Sequence, residues 1–176
     1  MNEKDTNYQE TILKSRVELD YTEIKNEIIT TLTDNRNISL ATSLNDRVTT
    51  RNVQYINVDL DIYFTSWGFN KKIKQIEGNP NVGLHQMGIQ IEGTAEILRW
   101  PLDEESKKVE EKFAAKYQWF SKLSGKRDAV LVKITTKKLV NFKTIDGAFH
   151  LQNIDLDKKK AYQMRLTDKE HPNYPY

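Results

Sequence analysis

Arg51 to Lys72 read RNVQYINVDLDIYFTSWGFNKK. Two runs rich in β-branched and aromatic residues flank the acidic turn Asp59-Leu60-Asp61, which predicts a β-hairpin. The second run ends at Thr65-Ser66 and leads into a predicted helix opening on Lys71-Lys72. A hairpin that delivers two hydroxyls and two ammonium groups to one corner suits a phosphate. A phosphate monoester carries close to two negative charges near neutral pH, and a helix N-terminus offers unpaired N–H groups and a partial positive charge. Asn70 is placed to cap that helix. Arg51, always cationic, can fork onto two oxygens from the first strand.

Outward from this hairpin the chain continues in short alternating segments. On the N-terminal side, Ile38–Thr42 alternates with period two and Asn45-Asp46 supplies a turn. Before it, Asp20 with Glu23 three residues later forms a capping box, and Ile24, Ile28, Ile29 and Leu32 make one apolar stripe of a helix. On the C-terminal side, Asn70–Glu77 reads as a two-turn helix with Ile73 and Ile76 inward. Val82–Gln86 pairs with Ile89–Leu98 across Met87-Gly88, and Gly93 inside the second strand predicts a bend or bulge. A helical pattern from Asp103 to about Leu123 is followed by strands at Ala129–Thr135 and Leu139–Thr144, with a short third at 148–151. Trp100 and Trp119 read as packing residues around that helix. The inter-strand links are too short for parallel crossovers, so the pattern predicts an antiparallel β-barrel with flanking helices. Residues 1–19 read as a polar arm, 20–155 as one domain and 156–176 as a charged tail.

Composition narrows the function classes. The 176 residues hold 38% apolar and 30% charged side chains, with no run near the ~20 apolar residues that span a bilayer. The first residues are acidic and lack an apolar core, so a cytoplasmic protein without a secretory signal is expected. No cysteine is present, which excludes disulfides, thiolate metal sites and a cysteine nucleophile. His85, His150 and His171 lack metal-ligand spacing. A net charge of +2 argues against a dedicated nucleic-acid binder and fits one small anionic ligand.

Taken in order, ISLATS, RNVQYIN, the acidic turn, IYFTS, the Asn-Lys-Lys helix start, GNPNVGLH and IQIEGTAEI resemble the FMN-binding split-barrel family related to pyridoxamine 5'-phosphate oxidase and the general-stress flavin proteins. The resemblance is strong over Ile38–Leu98 and looser through Phe142. It implies a fold, mainly β with α, built on a six-stranded antiparallel split β-barrel. It also implies a homodimer with FMN in clefts between the subunits. Carried over by position, the phosphate falls to Arg51, Thr65, Ser66, Lys71 and Lys72, with Asn70 and Phe64 beside them. The strand around Val53, Gln54 and Tyr55 flanks the isoalloxazine ring.

The departures are specific. The family's arginine before the second lysine is Lys71 here. The glutamine offered to the partner's flavin aligns with Gly88, leaving Gln86 or Gln90 to substitute. The C-terminal Trp and Arg signature of the oxidase has no counterpart in DKKKAYQMRLTDKEHPNYPY, so oxidation of pyridoxamine phosphate itself is not expected. The expectation is therefore an FMN-dependent oxidoreductase, with NAD(P)H or another donor reducing the flavin and a small molecule accepting the electrons. A flavin- or haem-binding stress or sensor module without turnover, with His85 or His150 as an axial ligand, is the alternative.

Overall fold

The computed structural model describes residues 14–100 and 102–166. Nine strands and three α-helices follow in the order β1 (Val17–Leu19), α1 (Tyr21–Asp34), β2 (Asn37–Leu44), β3 (Arg47–Val58), β4 (Asp61–Trp67), α2 (Lys71–Gly78), β5 (Asn81–Gln86), β6 (Ile89–Arg99), α3 (Glu104–Lys116), β7 (Ala129–Ile145), β8 (Ala148–Asp155) and β9 (Lys160–Arg165). Strands β7-β4-β3-β2-β5-β6 lie side by side, and β6 pairs back onto β7 to close a six-stranded barrel. Strands β8, β9 and β1 continue the sheet outside it. All pairings are antiparallel.

Turn chemistry fixes this register. Asn45-Asp46, Met87-Gly88 and Asp146-Gly147 each place two successive residues at positive φ, the backbone that two-residue hairpins need to match strand twist. Each hairpin closes on the flanking pair: Leu44 with Arg47, Gln86 with Ile89, Ile145 with Ala148. The Asp20 carboxylate accepts from the Glu23 amide at 2.8 Å and caps α1. Helix α1 then lays Ile24, Ile28 and Leu32 onto the barrel core.

Two apolar clusters result. One fills the barrel with alternate residues such as Leu40, Val53, Tyr55, Ile62, Phe64, Ile91 and Val132. The other sits between the outer side of the sheet (Ile56, Tyr63, Leu131) and α3, with Phe113, Tyr117 and Phe120 at its centre. Trp100 and Trp119 pack against this second cluster, as expected.

Three elements depart from the sequence reading. The segments 129–135 and 139–144 are one continuous strand, because β6 pairs along both and the register slips between Glu92 and Gly93 to accommodate Lys137 as a bulge. The predicted bulge at Gly93 is thus real, with its extra residue on the partner strand. Strand β1 forms inside the segment read as an arm, and β9 inside the segment read as a tail. Short polar strands at a sheet margin carry little apolar alternation, so period-based reading passes over them. The rest of the predicted tail, 167–176, lies outside the described residues.

Gly93 is fixed by close approach. A β-carbon there would meet Ile134 Cγ2 at 2.6 Å and the Thr135 carbonyl at 2.8 Å. Gly93→Ala is therefore expected to destabilise the fold by about 1–3 kcal/mol through overpacking, measured by urea unfolding. An unchanged midpoint would show that the barrel corner has slack.

Candidate functional site

The barrel has a seam. Strands β3 and β4 pair only from Tyr55–Phe64 to Val58–Asp61. Beyond Tyr55 they part: among the described residues, Arg47–Gln54 pairs with β2 alone and Thr65–Trp67 with β7 alone. Three residues separate the end of β4 from the start of helix α2, which packs on β2 at this end of the barrel.

Arg51 projects from β3 into a small polar chamber beneath α2. Its guanidinium donates to Thr42 Oγ1 (2.7 Å), to the Leu40 carbonyl (3.3 Å), to Thr49 Oγ1 and to Gln75 Oε1 (3.3 Å). Gln75 Oε1 also accepts from Thr42 (2.8 Å) and Thr49 (2.9 Å). Every acceptor is neutral. Burial lowers the pKa of Arg51. The half-buried Lys72 ammonium is likewise pushed below its ordinary value, first by burial and second by the charge of Arg51. Neither cation forms an ion pair with a carboxylate among the described residues. Two partly desolvated positive charges thus lie near enough to repel, with no carboxylate to balance either, an arrangement that costs stability until an anion enters.

The sign of that cost is testable. A lysine whose folded pKa lies below its unfolded value leaves the unfolded chain binding more protons, so stability rises with pH across the interval up to about 10.5. Without ligand, Lys72→Met is expected to melt above the wild type at pH 7, with the gap closing as pH approaches that value. A wild type that melts higher at pH 7 would mean the Lys72 charge is already balanced.

The other sequence-predicted positions are distributed unevenly. Ser66 is buried near the α2 start; its hydroxyl accepts from Asn70 Nδ2 at 3.1 Å and lies 3.2 Å from the Trp67 carbonyl it donates to. Asn70 occupies the N-cap position, yet its side chain makes no cap bond, being committed to Ser66. That corrects the expected cap and leaves the first N–H groups of α2 without a side-chain acceptor. Thr65 is half-buried on the opposite side of β4 from Ser66, following the two-residue alternation of a strand. Lys71 is exposed.

Val53, Tyr55 and Phe64 put their side chains into the barrel core, and the Tyr55 hydroxyl donates to the Leu32 carbonyl at 2.7 Å. Only their backbone can border a ligand. Gln54 points the other way and lines a separate cleft beside α3. Gln86 sits at the β5–β6 hairpin, with β2 between its strand and β3, so one chain does not bring it to Arg51. A glutamine in place of Gly88 is barred here: φ is +86° and a β-carbon would lie 2.3 Å from the Phe142 carbonyl.

His85 is exposed on β5, and His150 Nδ1 lies 3.1 Å from the Ala148 carbonyl on β8, outside the barrel; His171 is outside the described residues. Among the described residues no three of His, Asp and Glu gather as metal ligands. Trp67 and Phe69 stack on each other at the surface, 6.1 Å between centroids. The sequence reading missed Thr42, Thr49 and Gln75. Gln75 did carry a signal, because it lies between Ile73 and Ile76 on the inward stripe of α2 and is itself buried.

The pyridoxamine 5'-phosphate oxidase family model matches residues 24–142. The chain belongs to the pyridoxamine 5'-phosphate oxidase family. Solved structures share its fold. General Stress Protein 26 from Bacillus anthracis is 26% identical, with a TM-score of 0.55 over 72% of this chain and 97% of that one. A pyridoxamine 5'-phosphate oxidase-related, FMN-binding protein from Nostoc punctiforme is 11% identical (TM-score 0.55; 81% and 93% covered). HutZ, the haem storage protein from Vibrio cholerae, is 12% identical (TM-score 0.55; 68% and 92% covered). No curated protein matches the chain. The span that aligns with the pyridoxamine 5'-phosphate oxidase family runs from α1 into the second half of β7 and so contains the whole Arg51–Gln75 chamber. Among the described residues no helix is long and apolar enough to cross a membrane.

Proposed function

We propose that the protein is an FMN-binding oxidoreductase that works as a cytoplasmic homodimer, with flavin at the subunit interface. Reduced by NAD(P)H or another donor, it passes electrons to a small acceptor. The observation that carries this reading is the Arg51–Lys72 pair: an arginine held by neutral acceptors only and a half-buried lysine that feels its repulsion, at an uncapped helix start. A phosphate monoester would fit between them, since its charge relieves their repulsion and its oxygens take the donors left over. Arg51 and Lys72 hold the phosphate, helped by the first N–H groups of α2, with Lys71 adding charge from the surface. The backbone edge of β3 from Arg51 to Gln54, which β4 leaves free, borders the ring, and Gln86 comes to it from the partner subunit. FMN, when bound, supplies the electron transfer; this chain supplies orientation, charge and shelter from water.

The spectrum of the purified protein is the test. A yellow protein with flavin absorption, or a colourless one that quenches FMN fluorescence on titration, supports the reading. Colourless protein that binds no FMN would remove it. The resemblance to a haem storage protein favours one second reading, a haem- or flavin-holding module, which predicts a Soret band or a bound flavin with no NAD(P)H oxidation across common acceptors.

A further inference from the structure

Gln75 is buried in the chamber beneath α2, three residues after Lys72, a spacing that makes two side chains neighbours on a helix surface. Its Oε1 accepts from Thr42 Oγ1 (2.8 Å) and Thr49 Oγ1 (2.9 Å), residues that stand opposite each other on β2 and β3. A hydroxyl has one proton and two lone pairs. With both protons turned to Gln75, the two threonines show lone pairs to Arg51, which donates to each of them. The guanidinium also reaches Gln75 Oε1 directly at 3.3 Å. Gln75 Nε2 donates to the Arg47 carbonyl at 3.4 Å, which keeps the carbonyl end of the amide toward the threonines. One amide thereby orients two hydroxyls and, through them, one cation.

The neutrality of that amide is the informative feature. A carboxylate in its place would accept from the same three donors, and hydrogen bonds to an ionised acceptor are roughly twice as strong. It would also balance a guanidinium whose pKa burial lowers. A group whose sole task was to hold the chamber together would serve better as glutamate. Glutamine gives the guanidinium its direction and leaves its charge unbalanced: among the described residues neither Arg51 nor Lys72 has a carboxylate partner. The charge is thus kept for something outside the chain. A phosphate monoester, with close to two negative charges near neutral pH, uses both cations. The same ligand without its phosphate uses neither.

We propose that Gln75 is the positioning residue that sets the charge selectivity of this site. It aims Arg51 through Thr42 and Thr49 and, being neutral, reserves the combined charge of Arg51 and Lys72 for a phosphate monoester. That the monoester is FMN rests on the flavin reading; the demand for a doubly charged phosphate does not.

Gln75→Glu, nearly the same in shape, separates aim from charge. Fluorescence titration of the full-length protein should show FMN weakened by roughly thirtyfold or more, with riboflavin, which lacks the phosphate, held within about twofold. Gln75→Met fills similar space without an acceptor and should weaken FMN about fivefold, again with riboflavin unchanged. It carries the test should the carboxylate variant fail to fold. Ligand-free Gln75→Glu should melt above the wild type at pH 7, since Arg51 gains the partner it lacks. A merely structural amide predicts a lower melting temperature and both flavins weakened in parallel, and that pattern would overturn the proposal. Inorganic phosphate reads the chamber without any flavin: it should raise the melting temperature of the wild type and not that of Gln75→Glu. Equal stabilisation of the two proteins would also overturn the role of Gln75. Phosphate stabilisation of the wild type alone, with no binding of either flavin, would leave Gln75 its role and remove the flavin reading instead. A wild type that responds to neither phosphate nor FMN would overturn both.

Discussion

Arg51→Ala is expected to weaken FMN binding by about 1.5–3 kcal/mol, the range for hydrogen bonds to charged groups, or roughly ten- to more than a hundredfold in Kd. The guanidinium is already aimed and partly desolvated by Thr42, Thr49, Gln75 and the Leu40 carbonyl, so little is spent on ordering it when the phosphate arrives. Lys72→Ala should act in the same direction, by about 1–3 kcal/mol. Arg51→Lys should fall between, since it keeps charge and loses the fork. The two alanine effects should not add, because each removes a charge that opposes the other in the empty site. Fluorescence titration of FMN against the wild type, the three single variants and the double alanine variant reads all of this. If both alanine variants bind within twofold of the wild type, the phosphate is elsewhere. The Lys72 variants carry a paired signature: a change that loosens FMN should also raise the melting temperature of the ligand-free protein. A residue of purely structural importance does not do both.

Phe64→Ala is expected to cost about 3–5 kcal/mol of folding stability, as large-to-small changes at fully buried aromatics do, lowering Tm by about 6–20 °C for a chain of this size. Phe64 has no solvent exposure, stands opposite Tyr55 across the β3–β4 ladder and packs within the barrel cluster. Its place next to Thr65 in sequence suggests a cofactor contact, but alternation turns it inward. Thermal unfolding by circular dichroism on FMN-free protein separates the two roles. A core residue shifts Tm strongly and leaves FMN affinity of the folded protein within a few-fold, whereas a contact residue does the reverse.

These two cases show what the sequence makes legible. Asn45-Asp46, Met87-Gly88 and the Asp20–Glu23 pair announce themselves because the backbone conformations they serve are available to few residue types. Gly93 does so because a β-carbon has nowhere to go. Arg51 and Lys72 are visible as charges in a strand and at a helix start. Their meeting is not, because it depends on β3 and β4 parting after Tyr55, and no local pattern encodes where two strands separate. Asn70 has the residue type of a cap and spends its amide on Ser66, a choice made by tertiary geometry. The continuity of β7 is hidden by Thr136-Lys137-Lys138, polar residues that mark a bulge and read like a loop. The cleft beside α3 joins Arg36 and Lys116, residues from the ends of two helices far apart in the chain, beyond the reach of periodicity.

The pairing of β1 with β9 has a consequence for the order of assembly. Ser15 and Arg165 are 150 positions apart and bond to each other, and Val17 to Leu19 is laid along Ala161 to Gln163. As the chain is made, all six barrel strands are available once β7 has emerged, and domains generally fold from the N-terminal side as synthesis proceeds. Among the described residues, the first strand made is therefore the last to be seated, waiting on Ala161 to Gln163, which follow every barrel strand in the chain. A chain cut short before Lys160 would keep every barrel strand, strand β1 with nothing to pair with, and one edge of β8 bare, the kind of open edge along which copies of a protein join one another.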